Sequence, residues 1–136
     1  MHIIVCLDDQ NGMAFNHRRQ SRDRVVTEDI CILADGRPLW MNKKSAALFS
    51  EASCAATLRV DEDFLAAAPD DALCFVEDAP LAPLLARIDR LTIYRWNRRY
   101  PADLHFDLSL DGWRLTGSRE FQGYSHDKIT REDYTR

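Results

Sequence analysis

Apolar and polar positions along this chain fall into two regimes. Before Leu91, short apolar runs alternate with stretches of helical spacing; from Leu91 onward, apolar and polar residues alternate one by one. His2-Ile-Ile-Val-Cys-Leu7 is continuous, largely β-branched and closed by Asp8 and Asp9, which predicts a strand buried on both faces and central in its sheet. Ser21 is then expected to cap a helix in which Val26, Ile30 and Leu33 recur at helical spacing, with Gly36 and Pro38 ending it. Pro38 to Met41 reads as a second strand, and Asn42 as the cap of a helix running through Phe49. Thr57 to Val60 resembles a third strand, followed by a short helix capped by Asp61 and reaching Ala68. After a Pro69-Asp70-Asp71 turn comes the strand Ala72 to Val76, and Pro80 starts a helix carrying Leu81, Leu84, Leu85 and Ile88.

In the last third, LTIYRW, DLHFDLSL and GWRLTGSREF have period-two alternation and are separated by Arg-Arg-Tyr-Pro and Asp-Gly turn signals. Strands and helices in alternation followed by a β-rich ending predict an α/β fold. Its mixed, mainly parallel central sheet is flanked by helices and closes with an antiparallel C-terminal part. A chain of 136 residues matches one domain, expected to span residues 1–136.

Charge changes this picture at one place. The net charge is −4, which offers no general attraction to nucleic acid or to an anionic membrane. Yet GMAFNHRRQSRDR, from Gly12 to Arg24, contains Arg18, Arg19, Arg22 and Arg24 against a single acid, Asp23. The segment 18–24 therefore carries +3, leaving −7 for the remainder. A ligand-covering loop, an anion site and a solvated helix entrance all fit such a run.

Cys6, Cys31, Cys54 and Cys74 are widely spaced among apolar neighbours and form no Cys-x-x-Cys word, so they read as buried free thiols. No apolar run has the length of a signal peptide core or a membrane span, and the expected location is cytoplasmic.

IIVCLDDQNGM, RPLWMNKKS, ALCFVEDAPLAPLL, IDRLTIYRW and ADLHFDLSLDGW, taken in this order, resemble the succession of words in the dihydrofolate reductase-like family. The resemblance runs the length of the chain and implies that the arginine run occupies the active-site loop and first-helix entrance. It implies Asp23 as the catalytic carboxylate, with Glu28 or Asp29 serving an alternative alignment and a first-turn helix acid or ion pair as the plainer role for Asp23. The family's Gly-Arg-x-Thr becomes Asn42-Lys43-Lys44-Ser45, which keeps a hydroxyl and positive charge at a helix start. Its paired glycines, which let backbone approach a dinucleotide, are replaced by Glu77 and Asp78, whose charges would repel a pyrophosphate.

The expectation is accordingly a divergent member of that fold. It would bind a small anionic or nucleotide-like ligand through Arg18, Arg19, Arg22, Asn42, Lys43 and Ser45, without ordinary reductase activity and with no cofactor assigned. The alternatives are a non-catalytic scaffold docking a protein partner on the arginine loop, and a surviving NADPH-dependent reductase.

Other candidate chemistry is thinner. His105 and Asp107 share a strand face without a third ligand, and Ser125-His126 has no evident third member for a nucleophile site. Trp96, Arg98, Arg99 and Tyr100 mix aromatic rings and guanidiniums as a single-stranded nucleic-acid surface would, but read more simply as a strand end and turn. No His-x-His-x-Asp-His word is present, so the two-metal chemistry of a ribonuclease Z is not indicated and no metal site is expected.

Overall fold

The computed structural model describes residues 1–136. Its centre is β1 (His2–Leu7), whose alternate side chains enter different cores because successive strand residues point to opposite sheet faces. Ile3, Val5 and Leu7 pack with Val76, Leu81, Ile93 and Phe106 on one face; Ile4 packs with Leu39, Phe75 and Tyr94 on the other. The strand needs apolar residues throughout because neither face is wet.

Around it lie β4 (Leu39–Met41), β5 (Leu58–Val60), β6 (Leu73–Phe75), β7 (Arg90–Arg95), β9 (Arg114–Phe121) and β10 (Ile129–Thr135) in the order β5-β4-β6-β1-β7-β10-β9. The first five positions in that order are parallel, and β10 and β9 run antiparallel beyond β7. This is the mixed, mainly parallel α/β sheet anticipated from the sequence. No helix is long and apolar enough to cross a membrane.

A second, small sheet is made by β2 (Gly12–Phe15), β3 (Arg18–Arg19) and β8 (Leu104–His105). Asn16 and His17 join β2 to β3 with φ of 52° and 61°, the left-handed pair that a two-residue hairpin turn requires. The arginine run is thus in part a hairpin. Arg18 and Arg19, being adjacent on a strand, project to opposite sides.

Helix α1 (Arg24–Ala34) lays Val26, Ile30, Cys31 and Ala34 on the sheet. Its cap is Asp23, not Ser21: the Asp23 carboxylate accepts from Val25 N–H, and an ionised oxygen is the stronger partner for a helix start. Asn42 caps α2 (Lys43–Leu48) through Ser45 N–H as expected. Asp61 stands ahead of α3 (Phe64–Ala67) rather than at its cap, where Asp63 makes no side-chain bond. Leu81 to Ile88 form a 3₁₀ turn over Ala82–Arg87 instead of an α-helix.

One further expectation is corrected, and one strand had no sequence signal. DLHFDLSL contributes only β8, because Asp107 turns away to accept from Leu81 and Ala82 N–H; His105 stands exposed without it. Strand β10 has no apolar alternation to reveal it, and it is held by pairing with β7 and β9 on its two edges.

The cysteines divide. Cys6 and Cys74 are free, and burial pushes both thiols up, that of Cys74 to about 11. Cys31 and Cys54 are joined in a disulfide, correcting the free-thiol reading: α1 and the segment after α2 bring their Cα atoms within 5.2 Å. The bridge closes a separation of 23 residues, for which loss of unfolded-chain entropy corresponds to about 3 kcal/mol. Cys31→Ser/Cys54→Ser is expected to melt ~10 °C below the parent. Scanning calorimetry with and without reductant checks this: reductant should lower the parent's melting temperature and leave the variant's unchanged.

Candidate functional site

Two polar networks occupy the surroundings of the arginine run, and they divide its residues between them. The first lies where β6 gives way to Glu77 and Asp78. Arg19 donates from Nε and Nη2 to Glu77 at 2.8 and 3.0 Å, and Nη2 also reaches the Lys44 carbonyl at 3.0 Å. Ser45 Oγ donates to the same carboxylate at 2.7 Å, while Asn42 Nδ2 donates to Asp78 at 3.2 Å. Lys44 Nζ binds the His17 carbonyl at 2.6 Å and stands 3.9 Å from Asp78.

The start of α2 is likewise satisfied from within. Lys43 N–H donates to Glu62 and Ser45 N–H to Asn42, so two donors of the kind that hold phosphate at a helix N-terminus already have carboxylate or amide partners. Arg19, Asn42 and Ser45 are therefore members of an internal network centred on Glu77 and Asp78. Arg18 and the Lys43 side chain are exposed outside it.

The second network is built on Asp23. Its backbone is extended at φ −153° and ψ 125°, as a helix cap requires, and this directs the carboxylate back under the 122–127 loop. There it accepts from Tyr124 N–H at 2.8 Å, Ser125 N–H at 2.9 Å and Val25 N–H at 2.9 Å, and lies 2.9 Å from His126 Nδ1. The loop approaches so closely that a Cβ on Gly123 would sit 2.5 Å from an Asp23 oxygen, so only glycine fits. Burial works to raise the Asp23 pKa, but these donors together outweigh it and hold the carboxyl at about 2.

His126 is buried and completes the arrangement. Its ring stacks on Trp96 at a centroid separation of 4.6 Å, and its Nε2 lies 2.9 Å from Tyr100 Oη and 3.1 Å from Ser21 Oγ. Trp96 and Tyr100 are thus walls of this site, not an exposed base-stacking surface. The third member that Ser125-His126 lacks in the sequence is Asp23, 103 residues away along the chain.

Beside this network opens a cleft of about 750 Å³ between α1 and the segment following α2. Arg22, Arg24, Thr27, Glu51, Tyr124 and Ser125 are among its lining residues. Arg24 lies 3.8 Å over the Tyr124 ring. Glu28 ties one wall to the other by accepting from Ser53 N–H and Oγ, close to the Cys31–Cys54 bridge.

Asp29, the remaining acid of α1 considered from the sequence, faces the antiparallel strands. Tyr94 Oη donates to it at 2.6 Å, Arg131 at 3.0 Å, and Arg119 also contacts it. It anchors the helix to β7, β9 and β10.

No family model matches this sequence, and no curated protein does. Among solved structures, dihydrofolate reductase from Enterococcus faecalis, complexed with NADP(H) and RAB-propyl, matches with a TM-score of 0.65 at 10% sequence identity. The match covers 99% of this chain and 95% of that one, so the fold is dihydrofolate reductase-like from end to end. At that identity the likeness concerns the fold, and the chemistry has to be read from the residues above.

Proposed function

We propose that this protein binds a small anionic or nucleotide-like ligand in the cleft beside Asp23 and His126, and that it does not carry out ordinary nicotinamide-dependent reduction. One contrast carries the reading. At Glu77 and Asp78, where the fold family brings glycine backbone against a dinucleotide, this chain places two carboxylates bonded to Arg19, Ser45 and Asn42. At the neighbouring cleft, Arg22 and Arg24 make no ion pair, while two of the three acids that also line it, Asp23 and Glu28, are already engaged by N–H and hydroxyl donors.

Guanidiniums suit this task because their planar fork matches carboxylate and phosphate oxygens by paired hydrogen bonds. Arg22 is the one of the three arginines expected from the sequence to bind ligand that lines the cleft, and Arg24 joins it there. A dinucleotide at the other position would have to displace the Arg19–Glu77 pair and bring its phosphates near two negative charges, a repulsion of about 1 kcal/mol or more for each close pair.

A melting-temperature panel of nucleotides, folates and phosphorylated metabolites tests this. At least one anionic compound is expected to raise the melting temperature by several degrees, since ligand at a hundred times Kd adds about 2.7 kcal/mol. Arg22→Ala/Arg24→Ala should abolish that rise, and oxidation of NADPH with dihydrofolate should not exceed the blank. A panel without a single stabilising anion, or NADPH turnover above the blank, would overturn the reading.

A further inference from the structure

The hydroxyl facing His126 has a role that ligand binding does not use. Residues 21 and 23 lie on either side of one residue in an irregular stretch, and their side chains emerge on the same side, both reaching His126. The imidazole spans the two, with Nδ1 2.9 Å from Asp23 Oδ2 and Nε2 3.1 Å from Ser21 Oγ.

The tautomer follows from the partners. Ionised Asp23 can only accept, so Nδ1 carries the proton and donates to it, leaving the Nε2 lone pair directed at the hydroxyls. Asp23 is itself immobilised by three backbone N–H groups, and Trp96 stacks on the ring. The base is therefore oriented, buried and aimed at a serine that is half-buried and not sealed. We infer that Ser21 is an activated nucleophile, with His126 as its general base and Asp23 as the positioning residue, and that the site transfers the acyl group of a small carboxylic ester to water.

The step balances without any further reagent. Ser21 Oγ bonds to the ester carbonyl as its proton passes to His126 Nε2; the bond from carbonyl carbon to the alcohol oxygen breaks, and Nε2 returns the proton to the departing alcohol. Water then repeats the sequence, giving its proton to Nε2, breaking the acyl–Oγ bond and releasing the acid as the proton returns to Ser21. The N–H groups of Ser21 and Arg22 make no hydrogen bond within the protein, which leaves both free to donate to the carbonyl oxygen. Tyr100 Oη, 2.9 Å from Nε2, competes for the same lone pair and restrains the nucleophile.

A preference for esters carrying a negative group would rest on the anion-binding reading through Arg22; formation of the acyl–serine bond does not. The test is covalent labelling of the full chain with an alkyl fluorophosphonate, in which the P–O bond forms at Oγ and fluoride leaves. The expected result is one adduct per chain, mapped to Ser21 by peptide mass spectrometry, and its absence in Ser21→Ala. His126→Gln should label roughly a hundredfold more slowly or worse, whereas Tyr100→Phe should label faster than the parent. No adduct on the folded parent, or an adduct mapping to Ser125 or Tyr124 instead, overturns the inference. So does Tyr100→Phe labelling no faster than the parent while its melting temperature is kept. Labelling at Ser21 with a silent anion panel would leave the nucleophile standing and remove the ligand reading alone.

Discussion

Asp23→Ala is expected to lower stability by about 3–5 kcal/mol, which for a chain of this size is ~10–20 °C in melting temperature. The magnitude follows from what the carboxylate does at once. It caps α1 through Val25 N–H, accepts from Tyr124 and Ser125 N–H in the 122–127 loop, and orients His126. Loss of a helix cap alone costs about 1 kcal/mol, and each buried donor left without an acceptor adds about 1–3 kcal/mol.

The pH dependence has a definite sign. Asp23 titrates at about 2 in the folded chain, below the usual carboxyl value, so its contribution is complete above about pH 4 and falls away as acid carries the solution down towards pH 2. The parent-to-variant gap in melting temperature should therefore narrow as the pH falls below about 4. Thermal denaturation of both proteins across that range checks it; a gap that widens in acid would refute the assignment of Asp23 as an ionised, hydrogen-bonded anchor.

The second large effect is expected at Asp29. Removing its carboxylate in Asp29→Ala leaves the Tyr94 hydroxyl buried without an acceptor and Arg131 with only its bond to Asp133, for a loss of about 2–4 kcal/mol. Arg119 contributes little to that figure because its side chain is largely in water. Tyr94→Phe should recover most of the stability when combined with Asp29→Ala, since it removes the orphaned hydroxyl. Urea denaturation of the single and double variants measures the coupling. Additive losses would mean that the Tyr94–Asp29 bond contributes nothing. The contrast between the two acids is functional as well: Asp29→Ala should leave fluorophosphonate labelling at Ser21 unchanged, because it touches neither His126 nor the cleft.

Much of the fold was legible because burial imposes its period locally. Ile3, Ile4 and Val5 face two cores, so the strand could not tolerate a polar residue and stood out as an unbroken run. Val26 and Ile30 repeat at helical spacing because one stripe of α1 meets the sheet. Strand β10 was illegible for the converse reason. Arg131 and Asp133 are held by ion pairs and by ladder bonds to neighbours on both sides, none of which leaves an apolar alternation. The disulfide was hidden in the same way: two cysteines separated by 23 residues meet only because α1 and the segment after α2 lie side by side.

By itself, then, the chain determined the alternating strands and helices of the parallel part of the main sheet, β1-α1-β4-α2-β5-α3-β6, together with the central place of His2–Leu7 and the concentration of arginines after it. Those properties depend on neighbours in sequence and on the periods of strand and helix. Tertiary structure alone decided which arginine does what. The hairpin turn at Asn16 and His17 sends Arg19 inward to Glu77 and Arg18 outward, while the helix cap at Asp23 leaves Arg22 and Arg24 at the cleft. It also decided that Ser21, Asp23, Trp96, Tyr100 and His126 form one site. Side chains contributed from segments 105 residues apart can act on one another only when the backbone has folded to place them within about 3 Å, and no local pattern encodes that distance.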